Sequence, residues 1–144
     1  MTNCWRTVDT RMSTRTDMAK AVLDSSAVLA LLNNEPGADV VAEALDEAII
    51  STVNVAEVIA KLVERGMSFE QTRLALSTIG IEAVDFNVSL AERTGEMRLE
   101  SRSRGLSLGD RACLALAERE GLPALTCDRN WLEAVAGIEI RCIR

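Results

Sequence analysis

Four carboxylates sit where a folded chain could gather them. They are Asp24 in V-L-D-S-S-A, Glu57 in N-V-A-E-V-I-A-K, Asp110 in S-L-G-D-R-A-C-L-A-L-A and Asp128 in A-L-T-C-D-R-N-W. Asp24 and Asp128 each close a short apolar run of the kind that makes a buried strand, whereas Asp110 opens a helical pattern and Glu57 lies inside one. Acids crowded together repel unless they are protonated or bridged by a cation. An all-oxygen donor set suits a hard divalent ion such as Mg2+ or Mn2+. Plainer roles suit each acid taken singly: Asp24, Asp110 and Asp128 as helix N-caps, and Glu57 as an i,i+4 partner of Lys61. Asp85 also ends a strand-like run, but it lacks small hydroxyl neighbours and is read as structural.

The chain has no histidine and no tyrosine. Ser-His-Asp triads, Cys-His nucleophiles, imidazole acid–base chemistry and His-ligated zinc are therefore excluded. None of the four cysteines, Cys4, Cys113, Cys127 and Cys142, stands at C-x-x-C spacing. The last three lie in apolar segments, where a free thiol behaves as a small buried hydrophobe, as expected in a reducing compartment.

At 144 residues, 48% hydrophobic and 26% charged, the chain suits one compact domain. No apolar run approaches the length needed to span a bilayer and the start lacks the layout of a secretion signal, so a cytoplasmic location and no membrane partner are expected. The net charge of −6 argues against broad, non-specific nucleic-acid binding, which depends on Lys and Arg neutralising phosphates. It leaves room for an acidic cage that holds a cation.

Residues 1–17 show no sustained period, and Met18 offers a second start directly before the first apolar run. They read as a poorly ordered N-terminal extension, with the folded unit at 18–144. From there strand-like runs (20–24, 49–52, 81–85, 124–128, 138–143) alternate with helical ones (25–32, 38–47, 53–65, 68–80, 88–104, 110–120, 131–136). Ser68 to Gln71 resembles a capping box. Such alternation indicates βαβ units, hence an α/β fold with a mostly parallel sheet and helices on both faces. In an open parallel sheet the carboxyl ends of the strands share one edge and form its crevice. Asp24 and Asp128 should meet there, with the Asp110 helix bringing a third acid.

These four motifs, in this order and at these spacings, resemble the PIN-domain family, and most closely its VapC-type toxins. The resemblance spans residues 19–144. It implies a three-layer α/β/α sandwich, usually dimeric, whose acidic pocket binds one or two Mg2+ or Mn2+ ions and cleaves single-stranded or looped RNA. Asp24, Glu57, Asp110 and Asp128 would be its metal-binding and catalytic acids. Ser26 and Thr126 match the small hydroxyl positions that support the first and last of them, and Asn130 stands where a further polar group supports the site. The resemblance also implies a cognate antitoxin whose tail crosses the groove.

With no histidine and no obvious nucleophile, a metal-activated water is the economical attacking group. It would leave 5′-phosphate and 3′-hydroxyl ends, since the ribose 2′-OH is spared. Arg98, Arg102, Arg104, Arg111 and Arg129 flank the site in sequence. Arg111 and Arg129, each directly after a site acid, are the phosphate-contact candidates. Arg93, Arg98 and Arg102 also suit pairing with Glu92, Glu96 and Glu100 along one helix. The apolar helices at 53–63 and 69–79 could offer an antitoxin a groove, although core packing would use most of those residues. Two other readings remain: a PIN domain that only binds, and an RNA-processing nuclease without an antitoxin.

Overall fold

The computed structural model describes Arg6–Thr7 and residues 19–144. All six strands among the described residues run parallel. In chain order they are β1 (Arg6–Thr7), β2 (Ala21–Leu23), β3 (Ala48–Ser51), β4 (Glu82–Val84), β5 (Ala124–Thr126) and β6 (Ile140–Cys142). Their spatial order is β1-β4-β3-β2-β5-β6. Between them run α1 (Ser25–Leu32), α2 (Ala38–Ala44), α3 (Thr52–Glu64), α4 (Phe69–Ile79), α5 (Val88–Glu100) and α6 (Leu108–Glu120). The two-residue β1 pairs Arg6 with Glu82 and Thr7 with Ala83 at one edge of the sheet. The rest of the expected N-terminal extension, 1–17, lies outside the described residues. Among the described residues no helix is long and apolar enough to cross a membrane.

Strand alternation sorts the core into two layers. Ala21, Leu23, Ala48, Ile50, Ala83 and Leu125 face a cluster with Val28 of α1, Val41 of α2, Val58 of α3 and Leu76 of α4. Their neighbours Val22, Ile49, Val84 and Ala124 face the other way, onto Leu90 and Met97 of α5 and Leu114 and Leu116 of α6. Because successive strand side chains point to opposite faces, one apolar run serves both layers. Nearly continuous apolar strands are what a sheet covered on both sides requires. The expected α/β/α sandwich is the observed fold, and its sheet is wholly parallel.

Short polar residues begin the helices: Asp24, Ser51, Ser68, Asn87 and Ser107 each accept a backbone N–H with the side chain. The Ser68–Gln71 capping box forms as the sequence suggests. Two helices are shorter than expected, the 38–47 run passing into a 3-10 turn after Ala44 and the 88–104 run after Glu100, and a third, 131–136, does not form. The 88–104 run leaves α-geometry after Glu100, where the buried Ser101 hydroxyl donates to the Met97 carbonyl and a tighter turn, Arg102–Arg104, follows. Back-bonding of this kind competes with the helical ladder. The 131–136 run is no helix: a 3-10 turn covers Arg129–Trp131, and Glu133 takes a left-handed φ of 60° that a continuing helix cannot accommodate.

Arg93 joins α5 to α6. Its guanidinium meets Glu96 at 2.9 Å, Glu100 at 2.5 Å and Glu118, on α6, at 2.7 Å. The pairing expected along α5 thus reaches across to a second helix.

Gly37 opens α2 at φ 95°, and a Cβ there would stand 2.7 Å from the Ile143 carbonyl oxygen and 2.8–2.9 Å from its side chain. Strained backbone and a close approach coincide at this position. Gly37→Ala should therefore cost about 2 kcal/mol or more of stability in urea denaturation; an unchanged midpoint would show that the chain end simply moves aside.

Candidate functional site

Chain order runs outward from β2 through β3 and β4, then returns to β5 on the other side of β2. That reversal opens a crevice beyond the carboxyl ends of β2 and β5, the place where open α/β sheets bind ligands. Asp24 follows β2 and is 3% exposed. Every donor around it is local or one strand away. Ala27 N–H donates to its Oδ1 at 2.9 Å, Ser26 Oγ reaches both carboxylate oxygens at 2.7 and 2.9 Å, and Thr126 Oγ1 donates to Oδ2 at 2.8 Å. Asp24 is thus both the N-cap of α1 and a buried acid in the crevice.

Burial raises the Asp24 carboxyl to a pKa of about 6. The hydrogen bonds from Ala27, Ser26 and Thr126 pull it down, and the negative charge of Asp110 pushes it up. Burial also holds the Cys113 thiol well above its ordinary range, and Asp24, Asp110 and Glu57 push it the same way. Three of the four predicted acids, from the end of β2, α3 and α6, therefore lie within electrostatic reach of one buried atom on α6.

The other acids are held differently. Asp110 is not the N-cap of α6; Ser107 is. Asp110 sits three residues in and completes a capping box, with Ser107 N–H donating to its Oδ2 at 2.9 Å. Glu57 is half-buried; it accepts from Asn54 Nδ2 at 2.8 Å rather than pairing with Lys61. Asp128 is exposed and caps the turn after β5 by accepting from Asn130 N–H at 2.8 Å. Its link to Asp24 runs through Thr126, whose hydroxyl donates to Asp24 and accepts from Asp128 N–H at 3.1 Å. Ser26 is tied into the same network, accepting from Cys127 N–H at 3.0 Å.

The flanking residues divide. Asn130 donates its side-chain amide to the Arg104 carbonyl, so it braces the loop after α5 rather than an acid. Arg111 donates to the Thr94 carbonyl at 3.0 Å, while Arg129 and Arg102 are exposed. Asp85 is exposed as well. Of the cysteines expected to be buried, Cys113 is, whereas Cys127 and Cys142 are half-exposed free thiols. Cys4 is outside the described residues. Two contacts of Glu57 escaped the sequence reading. Asn54 stands at i−3 on the same helix face, a spacing that could have flagged it. Gly109, the residue before Asp110, lies against the Glu57 carboxylate.

Hard oxygen donors around a desolvated, charge-crowded carboxyl fit Mg2+ or Mn2+, because a cation offsets the repulsion that raises Asp24. In their present rotamers the acids spend oxygens on caps and amides. Among the described residues, no three acidic or cysteine side chains stand close enough together to hold one ion. The residue types fit the ion, while one oxygen each of Glu57, Asp110 and Asp128 accepts an amide or backbone N–H.

The PIN-domain family model matches residues 21–138. The chain belongs to that family. Comparison with curated protein sequences finds no match. Among solved structures, it is similar to the DNA-bound VapBC complex from Salmonella typhimurium, with TM-score 0.70 and 22% identity over 88% of this chain and 100% of that one. It is also similar to a toxin–antitoxin complex from Klebsiella pneumoniae, at TM-score 0.67 and 23% identity over 87% and 98% of the two chains. A sarcin-ricin-loop-cleaving VapC toxin from Mycobacterium tuberculosis matches at 0.65 and 19% over 80% and 95%.

The raised Asp24 carboxyl has a consequence for stability. Between about pH 4 and pH 6 the folded chain keeps a proton at Asp24 that the unfolded chain, with its ordinary value of 3.8, has released. Stability must therefore fall as pH rises through that window and stay down above it. In EDTA, Asp24→Asn should be more stable than the native chain at pH 7–8, by on the order of 3 kcal/mol at most. The advantage should vanish towards pH 4. Thermal melts across pH check this, and an Asn variant weaker than native at pH 8 would contradict it.

Proposed function

We propose that this PIN-domain chain is an Mg2+- or Mn2+-dependent endoribonuclease of the VapC toxin kind, working in the cytoplasm as a homodimer and restrained by a cognate antitoxin. The observation that carries the reading is the buried Asp24 carboxyl at the sheet's reversal point, with Glu57 and Asp110 within electrostatic reach of the same α6 thiol. The family match supports it, as do the similar chains from toxin–antitoxin complexes and the one described as a sarcin-ricin-loop-cleaving toxin.

Asp24, Glu57, Asp110 and Asp128 would hold the cation. When bound, it supplies charge neutralisation at the scissile phosphate and acidifies an attacking water. Ser26 and Thr126 keep the Asp24 carboxylate oriented from one side, so that its position is set before RNA arrives. With histidine absent, a carboxylate is the side chain left to accept the water's proton. Arg129, exposed directly after Asp128, can meet phosphates without the broad basic surface that the net charge of −6 argues against. Arg111 already donates one guanidinium N–H to the Thr94 carbonyl.

An antitoxin fits the same electrostatics, since an arginine neutralises an acid cluster as a cation does. Val63, Phe69 and Leu74, exposed on α3 and α4, offer apolar surface to such a partner. The caps and amides that engage Glu57, Asp110 and Asp128 favour one alternative, a PIN domain that binds without cutting.

The deciding measurement is cleavage of tRNA and rRNA stem-loops by the purified chain. Cutting should require Mg2+ or Mn2+, stop in EDTA, leave 5′-phosphate ends and fall about 100-fold or more in Asp24→Asn. No cutting of any stem-loop, together with no divalent-ion binding by calorimetry, would leave the binding scaffold.

A further inference from the structure

Asn54 is 1% exposed on the first turn of α3, and its side-chain nitrogen makes two bonds. One, at 2.8 Å, goes to Glu57 Oε1 within the same helix, and the other, at 3.0 Å, goes to the Gly109 carbonyl on α6. Both neighbours are acceptors, so the nitrogen and not the oxygen must face them. α3 and α6 belong to opposite layers of the sandwich, and this one amide ties their first turns together over the sheet edge.

Two details argue against a packing role alone. Asn54 Oδ1 is buried without a partner among the described residues. Leaving a buried amide oxygen unpaired costs free energy that an apolar side chain of the same size would not incur. On the far side, a Cβ at Gly109 would stand 2.2–2.3 Å from the Glu57 carboxylate atoms. The carboxylate is thus seated on bare backbone in the first turn of α6, one residue before Asp110, where helix N–H groups favour negative charge.

We infer that Asn54 is the positioning residue of the acid cluster: with Gly109 as the seat, its amide sets the Glu57 carboxylate beside Asp110 for a divalent cation. The inference rests on the metal-dependent reading above. Amide donation to one carboxylate oxygen leaves the other available. Outer partners of this kind typically change metal affinity 10- to 100-fold when removed.

The test is Mn2+ binding to the full chain by calorimetry, with folding followed by circular dichroism. Asn54→Ala and Gly109→Ala should each weaken Mn2+ about 10- to 100-fold while the chain stays folded. Val58→Ala, one turn further along the buried face of α3, should lower the melting temperature yet leave Mn2+ affinity within about twofold, since its side chain packs in the apolar core. If Asn54→Ala does not fold, Asn54→Ser and Gly109→Ala carry the test. Native affinity in the Asn54 and Gly109 variants would overturn the inference, as would an equal loss in Val58→Ala. A native chain that binds no Mn2+ would instead sink the metal-dependent function, and the positioning role with it.

Discussion

Burying one carboxyl is the constraint around which this molecule is arranged. A carboxylate removed from water loses its hydration, and only hydrogen bonds and positive charge can replace it. Asp24 has three donors, all neutral: a backbone N–H from its own helix, the hydroxyl two residues on, and a hydroxyl from the neighbouring strand. They do not fully offset the burial, as the raised carboxyl shows. A fold that keeps an under-compensated acid at the reversal point of its sheet carries a local cost. Sites of this kind are where function concentrates.

The rest of the sandwich brings further charge to that place. The sheet separates two apolar layers, and helices from opposite layers meet beyond its carboxyl edge. α3 and α6 do so through Asn54 and the backbone of Gly109. Residues that would be unremarkable alone acquire meaning there: a glycine because a carboxylate occupies the place of its missing Cβ, an asparagine because both its neighbours are acceptors. Asp128 stays outside this packed region, on an exposed turn joined to Asp24 by the Thr126 hydroxyl. The crevice therefore has a packed wall built from the end of β2, α3 and α6, and a more exposed one built from the turn after β5.

Much of this was legible in the residue order. Alternating apolar runs and capped helical patterns, each with its own punctuation, specified an α/β/α sandwich. The capping box at Ser68 and Gln71 was readable because every partner lies within four residues. The acids at strand ends were readable too, since parallel strands share one carboxyl edge. The readings that failed concern competition between local signals. Residues 101–104 continue a helical pattern, yet Ser101 bonds back to Met97 and tightens the chain. Asp110 looked like a helix opener, but Ser107, three residues earlier, had the stronger claim to the cap.

What the sequence by itself determined is most of the elements, the candidate acids and the exclusion of imidazole chemistry, because these depend on residue type and short-range period. Only the tertiary structure decided which acids are buried, which are engaged as caps and which side chains hold them. Burial and hydrogen-bond partnership are properties of the space between elements. Asn54 and Gly109 lie 55 positions apart in the chain and 3.0 Å apart across a hydrogen bond. No local pattern encodes that distance; it exists because two helices from opposite faces of a sheet converge on the same edge.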